Sequence, residues 1–277
     1  MIFLLRYAAI SITTAGSVPA FLEKLFKMKK TGIVKSAVLC AALACAMTAG
    51  AETLRFAAES SYAPFIFVDS KSGNHAGFEV DLMKLIGKKL GAKIEIINMG
   101  FDAVIPSLVT GTVDIGGSAI TITEERAKRV NFTTPYYDSG LSILINKSDE
   151  NSIKGIEDLA GKDVCVQIGT SGAERAGKIK DVKLHQFNAV NEAYLELQNM
   201  GCRAVITDRP VTAYFLMQRK GSAKRFVHLP KTLDAEQFGF AVTKKKPRLV
   251  ARLNKVLADL HQSGEFKALF EKWFGVQ

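Results

Sequence analysis

Arg126, with Thr121-Ile122-Thr123-Glu124-Glu125 just before it, has the residue types and spacing of an anion receptor. A threonine with an acid three residues on is a capping-box pattern, so a helix is expected to begin here, with free amides and the positive end of its dipole at its mouth. An arginine just inside such a helix aims a planar guanidinium at the same point, which suits a carboxylate or a phosphate. Taken alone, the stretch reads equally as a surface arginine on a capped helix. The pattern recurs at Gly169-Thr170-Ser171-Gly172, where hydroxyls and amides follow the apolar run Val164 to Ile168. Two acids occupy comparable places, Glu59 after Leu54 to Ala58 and Asp208 after Ala204 to Thr207. Ligands of open parallel sheets bind beyond the carboxyl ends of the strands. One rim is therefore expected to carry donors for a carboxylate and acids for an ammonium, as a zwitterion requires.

Other chemistries lack their residues. His75, His185, His228 and His261 are far apart, and none has a metal-ligand neighbour at helical spacing. No GxSxG elbow occurs. Gly172 to Lys178 fits GxxxxGK, but Ile179 stands where a P-loop needs a magnesium-binding hydroxyl. The stretch between those glycines, Ala173-Glu174-Arg175-Ala176, is also helix sequence, whereas a phosphate cradle must be irregular. No metal or cofactor is expected.

The elements that position these residues alternate. Thr53 to Ala58 reads as a strand, and 77–90 places Phe78, Leu82, Leu85, Ile86 and Leu90 on one helical face before a Gly91 cap. Lys93 to Asn98 and Thr112 to Gly116 read as strands around a helix from Phe101 to Val109. A second series follows, with helices at 156–160, 171–179, 190–200 and 210–218 between strands at 163–168, 182–187 and 204–207. Helices at 247–261 and 265–273 close the chain. This is the signature of an α/β fold with largely parallel sheets, in two units.

With 277 residues, 48% hydrophobic and 23% charged, the chain is long enough for two cores and is neither disordered nor collagenous. Its formal charge of +10 invites a nucleic-acid reading, but part of the excess lies in a leader. Met28-Lys29-Lys30, an apolar run to Met47 and the small residues Ala49-Gly50-Ala51 have the layout of a signal peptide. The run is too short to span a membrane. The expected start is Met28 and the expected cleavage follows Ala51. Removing residues 1–51 leaves 31 basic against 26 acidic side chains, with no basic aromatic face for nucleic acid. Cys45 lies in a weak lipobox-like context, which makes lipid anchoring the lesser alternative to free export. Cys165 and Cys202 remain, as a disulfide or as two buried thiols.

Five segments in order carry a resemblance: Glu59-Ser-Ser-Tyr62-Ala-Pro64-Phe65, Gly77-Phe78-Glu79-Val80-Asp81-Leu82, Ile120 to Arg126, Phe132-Thr-Thr-Pro135-Tyr136-Tyr137 and Lys272-Trp273-Phe274-Gly275. Over residues 52–277 the chain resembles the periplasmic polar-amino-acid-binding proteins of ABC importers, among them binders of arginine, lysine, ornithine, histidine and glutamine. The resemblance implies a type II two-lobe periplasmic-binding-protein fold with a hinge of two crossing strands. Lobe I would be 52–135 plus 239–277, lobe II 141–233, and the hinges 136–140 and 234–238. It implies a monomeric periplasmic protein with an L-amino acid ligand and an inner-membrane ABC permease as partner, and no catalysis.

Carried over position by position, Arg126 would grip the α-carboxylate with Thr121 and the amide of Ser171, in the loop that also holds Thr170. Asp208 would take the α-ammonium, and Tyr62 and Phe101 would sandwich the side chain. Glu59 would meet the ligand's distal nitrogen. Ala119 stands where basic-amino-acid binders often have Ser, and Gln167 where the glutamine binder has Lys. With no basic partner in sight, Glu59 implies a cationic ligand, arginine first and then lysine or ornithine. Glutamine or histidine is the runner-up, and a dehydratase of the cyclohexadienyl type on the same scaffold is the reading from a different class.

Overall fold

The computed structural model describes residues 52–275, so the expectations for the leader, its start at Met28, its cleavage site and Cys45 lie outside the described residues. Two mixed sheets organise the chain. Strands β1 (Thr53–Ala58), β2 (Ser61–Tyr62), β3 (Ile66–Val68), β4 (His75–Ala76), β5 (Lys93–Asn98), β6 (Ile115–Gly116) and β7 (Asn131–Phe132) come first. Then follow β8 (Tyr137–Asn146), β9 (Asp163–Gln167), β10 (Lys183–Phe187), β11 (Ala204–Asp208), β12 (Phe226–His228), β13 (Ala235–Phe238) and β14 (Ala241–Val242). One sheet has the order β5-β1-β6-β14-β7, the other β10-β9-β11-β8-β12, and β2, β3 and β4 form a small ribbon. β1 runs parallel to β5 and β6, and β9 runs parallel to β10 and β11.

The helices are α1 (Phe78–Leu90), α2 (Phe101–Thr110), α3 (Glu124–Arg129), α4 (Ser171–Ala176), α5 (Val190–Gln198), α6 (Arg209–Met217), α7 (Ser222–Arg225), α8 (Pro247–Ser263) and α9 (Glu265–Phe274). α1 stops at Gly91, whose φ of 64° is easy only for a residue without Cβ. Its buried face includes Phe78, Leu82 and Ile86, as the spacing predicts, together with Val80 and Met83. Phe78 meets Phe65 edge-on with ring centres 6.4 Å apart, and α9 covers the pair with Phe266, Phe270 and Phe274. Each such fully buried ring contributes about 2 to 3 kcal/mol through removal from water. The first lobe is thus closed by the last helices of the chain.

The second lobe packs Ile143, Ile145, Val164, Val166 and Ile206 from its central strands beneath α4. Cys165 on β9 is bonded to Cys202 at the entry to β11, with Cα atoms 6.0 Å apart, which resolves the open alternative in favour of a disulfide.

Four expectations change. The sheets are less parallel than predicted, because β8 is antiparallel to β11, β12 and β13. The predicted helix at 156–160 is a 3-10 turn, Ile156–Leu159, and α4 ends three residues early at Ala176. The strand predicted from Thr112 shrinks to β6, because the Asp114 carboxylate turns to accept from the Arg55 amide and guanidinium. β8 joins the lobes: Tyr137 to Gly140 pairs with β13, while Leu141 to Asn146 pairs with β11 and β12. The chain returns through β13, and Thr121 bridges to Phe238 at its end.

Candidate functional site

Arg126 lies in the third position of α3, and the helix begins two residues later than Thr121: Thr123 is the cap, its hydroxyl accepting the Arg126 amide at 3.2 Å. The capped turn aims the side chain inward, where it is 8% exposed. Its guanidinium donates to the Thr121 carbonyl at 2.9 Å and, across the cleft, to the Gly169 carbonyl at 3.0 Å. The cation lies 5.6 Å from the centre of the Phe101 ring. A guanidinium has five N–H donors, so three remain. Among the described residues Arg126 forms no ion pair, and burial lowers its pKa, opposed by Glu174, Glu236 and Asp208.

Asp208 ends β11 in the other lobe and is buried. Its carboxyl accepts from the Tyr62 hydroxyl and, at 3.3 Å, from the Ser139 hydroxyl. No cation pairs with it among the described residues. Burial pushes its pKa well above the carboxylate range, and the neighbouring Glu236 carboxylate adds to the rise. The cleft therefore holds an unpaired guanidinium from one lobe and an unpaired carboxylate from the other.

Glu59, just past β1, accepts from the Ser61 hydroxyl at 2.9 Å and from the Gln167 amide at 3.2 Å. Burial raises its pKa, because those two bonds compensate desolvation only in part. Gln167 also donates to the Asn188 carbonyl at 2.9 Å, while its buried Oε1 has no partner among the described residues. Acceptors for a donor-rich group are thus gathered at this end.

Ser118 and Ala119 have φ of 78° and 53°, a left-handed backbone that side chains rarely adopt. The Glu79 carboxylate holds them, accepting both amides at 2.7 Å and the Tyr136 hydroxyl. Thr170 faces its own helix: its hydroxyl caps α4 and donates to the Gln167 carbonyl at 2.8 Å. The Ser171 hydroxyl meets that of Thr121 across the cleft at 3.3 Å, and Thr121 spends its single proton on Glu236 at 3.0 Å. The structure brings Tyr62 to Asp208, Gln167 to Glu59, Ser171 to Thr121 and Phe101 to Arg126, while Thr170 and the Ala119 amide make their resolved hydrogen bonds to Gln167 and Ala173 and to Glu79. Glu236, Ser139 and Glu79 hydrogen-bond to residues of this group and were not among those predicted. Only Glu79, inside the Gly77 to Leu82 segment, was marked by sequence at all.

The family model for bacterial extracellular solute-binding proteins, family 3, matches residues 54–276. The chain belongs to that family. It is 33% identical to the putative ABC transporter arginine-binding protein 2 of Escherichia coli K12, over 89% of this chain and 99% of that one. It is 30% identical to a probable histidine-binding protein of Neisseria gonorrhoeae, over 87% and 94%. Among solved structures, a mutant of the arginine-binding protein ArgBP from T. maritima superimposes with a TM-score of 0.76 and 39% identity, over 81% and 96%. The ancestral amino-acid-binding protein AncCDT-1, a precursor of cyclohexadienyl dehydratase, superimposes at 0.73 with 36% identity, over 84% and 99%. The protein is an amino-acid-binding solute receptor of an ABC transporter, with the two-lobe type II fold. Among the described residues no helix is long and apolar enough to cross a membrane.

Proposed function

We propose that this receptor captures a basic L-amino acid, arginine before lysine or ornithine, between its lobes and hands it to a cognate permease. The observation that carries the reading is the pair of buried ionisable groups of opposite sign, Arg126 in one lobe and Asp208 in the other, neither in an ion pair among the described residues. Leaving both without counter-ions costs several kcal/mol, and an amino acid supplies a carboxylate to one and an ammonium to the other. In this reading Ser171 assists the carboxylate, with Thr121 behind it. Tyr62, Phe101 and the Ala119 turn shape the passage to Glu59 and Gln167.

Glu59 and the free Gln167 Oε1 select the side chain, since both accept and neither has a cation. A guanidinium fills both acceptors with planar donors. Glutamine is the second reading, favoured by Gln167, whose side-chain amide pairs with another amide as readily as with a cation. The disulfide suits an oxidising compartment and supports export through a leader cleaved after Ala51, with the mature chain divided as 52–135 plus 239–277 and 141–233 around hinges at 136–140 and 234–238.

The test is calorimetric titration of the purified protein with the twenty amino acids and ornithine, repeated with Glu59→Gln. Arginine is expected to bind with a Kd of about 1 µM or tighter. The substitution is expected to weaken arginine by about 100-fold and glutamine by less than about fivefold. Equal losses for the two ligands remove the cation argument, and turnover of prephenate or arogenate transfers the cleft to dehydratase chemistry.

A further inference from the structure

Glu236 lies on β13, opposite Ser139 of β8, where the lobes are joined. Its carboxylate accepts the Thr121 hydroxyl at 3.0 Å, and Ser139, directly opposite it in the ladder, donates to Asp208 at 3.3 Å. A cleft of about 540 Å³, lined by Thr121, Ser171 and Glu236 among others, opens beside it. Every element around the two acids contributes a titratable or polar group. β2 brings the Tyr62 hydroxyl and β8 brings Tyr136 and Tyr137 at its start. α5 brings Tyr194, and α3 and α4 bring Arg126 and Glu174. Of the cations nearby, Arg126 spends its resolved hydrogen bonds on carbonyls, Arg175 pairs with Asp234 at 3.0 Å, and Lys178 lines the outer cleft. Two carboxylates on one face of the strand ladder attract a cation between them.

We propose that Glu236 is a specificity-determining residue that forms, with Asp208, a two-carboxylate seat for the ligand's α-ammonium. The proposal rests on the reading of the cleft as an amino acid receptor and extends it. The incoming ammonium keeps its three protons, and the proton that burial holds on Asp208 leaves for solvent, so capture releases a proton wherever Asp208 was protonated. Binding then tightens as the pH rises through the titration of Asp208 and levels off above it. The hinge strand itself reads the ligand, which ties occupancy of the seat to the closed arrangement of β8 and β13.

The experiment titrates the full protein and Glu236→Gln with arginine and with its des-amino analogue 5-guanidinopentanoate, from about pH 5 to about pH 8, in buffers of different ionisation enthalpy. Melting temperatures confirm that the isosteric variant stays folded. The wild type is expected to release protons with arginine at the acid end, and the variant to release fewer. The variant is expected to lose about tenfold for arginine, equivalent to about 1.4 kcal/mol, and little for the analogue. Equal losses for both ligands, or unchanged proton release, overturn the proposal while the receptor reading stands. Failure of the wild type to bind any amino acid overturns that reading and the proposal with it.

Discussion

Arg126 and Asp208 are held by neighbours that do not neutralise them, and that decides what each substitution does. Arg126→Ala removes the three uncommitted donors together with the contact to Gly169, so every amino acid loses affinity, by about 100-fold or more. Titration with arginine and glutamine checks this, and retention within about tenfold argues against a carboxylate grip. Asp208→Asn has a second effect. The folded-state pKa of Asp208 lies above its unfolded value, so the carboxyl contributes stability below about pH 4 and loses it as the pH rises through the raised value. A neutral amide escapes that loss. The variant is expected to melt about 3 °C higher than the parent at pH 7 without added amino acid, a gain of about 1 kcal/mol, while losing ligand binding. A lower melting temperature instead shows that Tyr62 and Ser139 satisfy the charge. Both residues were legible from sequence, since each follows a strand-like run and bears the charge a zwitterion needs. Glu236 was not, because its partners Thr121 and Asp208 lie 115 and 28 residues away and only the crossing of β13 under β8 brings them together.

Elements with one clean period were readable, and those serving two environments were not. α1, α8 and α9 announce themselves by helical spacing, β1 and β9 by apolar runs ending before polar or glycine residues, and β5 by its alternation. β8 defeats such reading. Its first half, Tyr137-Asp-Ser-Gly, is partly exposed and pairs with β13, and its second, Leu141 to Ile145, is buried on both faces, so no single alternation runs through it. Parallel order was over-predicted for the same reason. The disulfide was undecidable from spacing, because Cys165 and Cys202 are 37 positions apart and the chain between them runs through α4, β10 and α5, whose return path places the sulfurs. It ties β9, and with it Gln167, to β11, which carries Asp208. Replacing both cysteines with serine is expected to cost about 3 kcal/mol, read by urea denaturation, with arginine affinity following if the two strands shift. An unchanged midpoint shows that the β9 and β11 pairing suffices without it.

Across the whole molecule the lobes meet through the proposed ligand residues: Tyr62 on Thr207 and Asp208, Gln167 on Glu59, and Arg126 on Gly169. Gly169 brings the backbone itself up against the facing rim. Its φ is +75°, and a Cβ there meets the Cα and Cβ of Asp102 in the facing lobe at 3.1 Å. Gly169→Ala is therefore expected to wedge the lobes apart at the guanidinium. Arginine Kd should rise about tenfold through faster release, while stability falls by only about 1 kcal/mol from the left-handed backbone. Stopped-flow dissociation and melting curves separate the two effects, and unaltered release kinetics show that the rims tolerate an added methyl.

The first lobe takes its opening strand from one end of the chain and its covering helices from the other, which sets a timetable for assembly. A nascent chain emerging in order completes every strand of the six-stranded sheet before α8 and α9 exist. β1 and α1, made earliest, must meanwhile keep their greasy sides unshielded. A premature stop after Gly264 deletes Phe266, Phe270 and Phe274 and uncovers the side of Phe65 and Phe78 that those rings pack against. Escort by a holding chaperone therefore matters most for the half synthesised first, and the last ten helical residues act as its keystone.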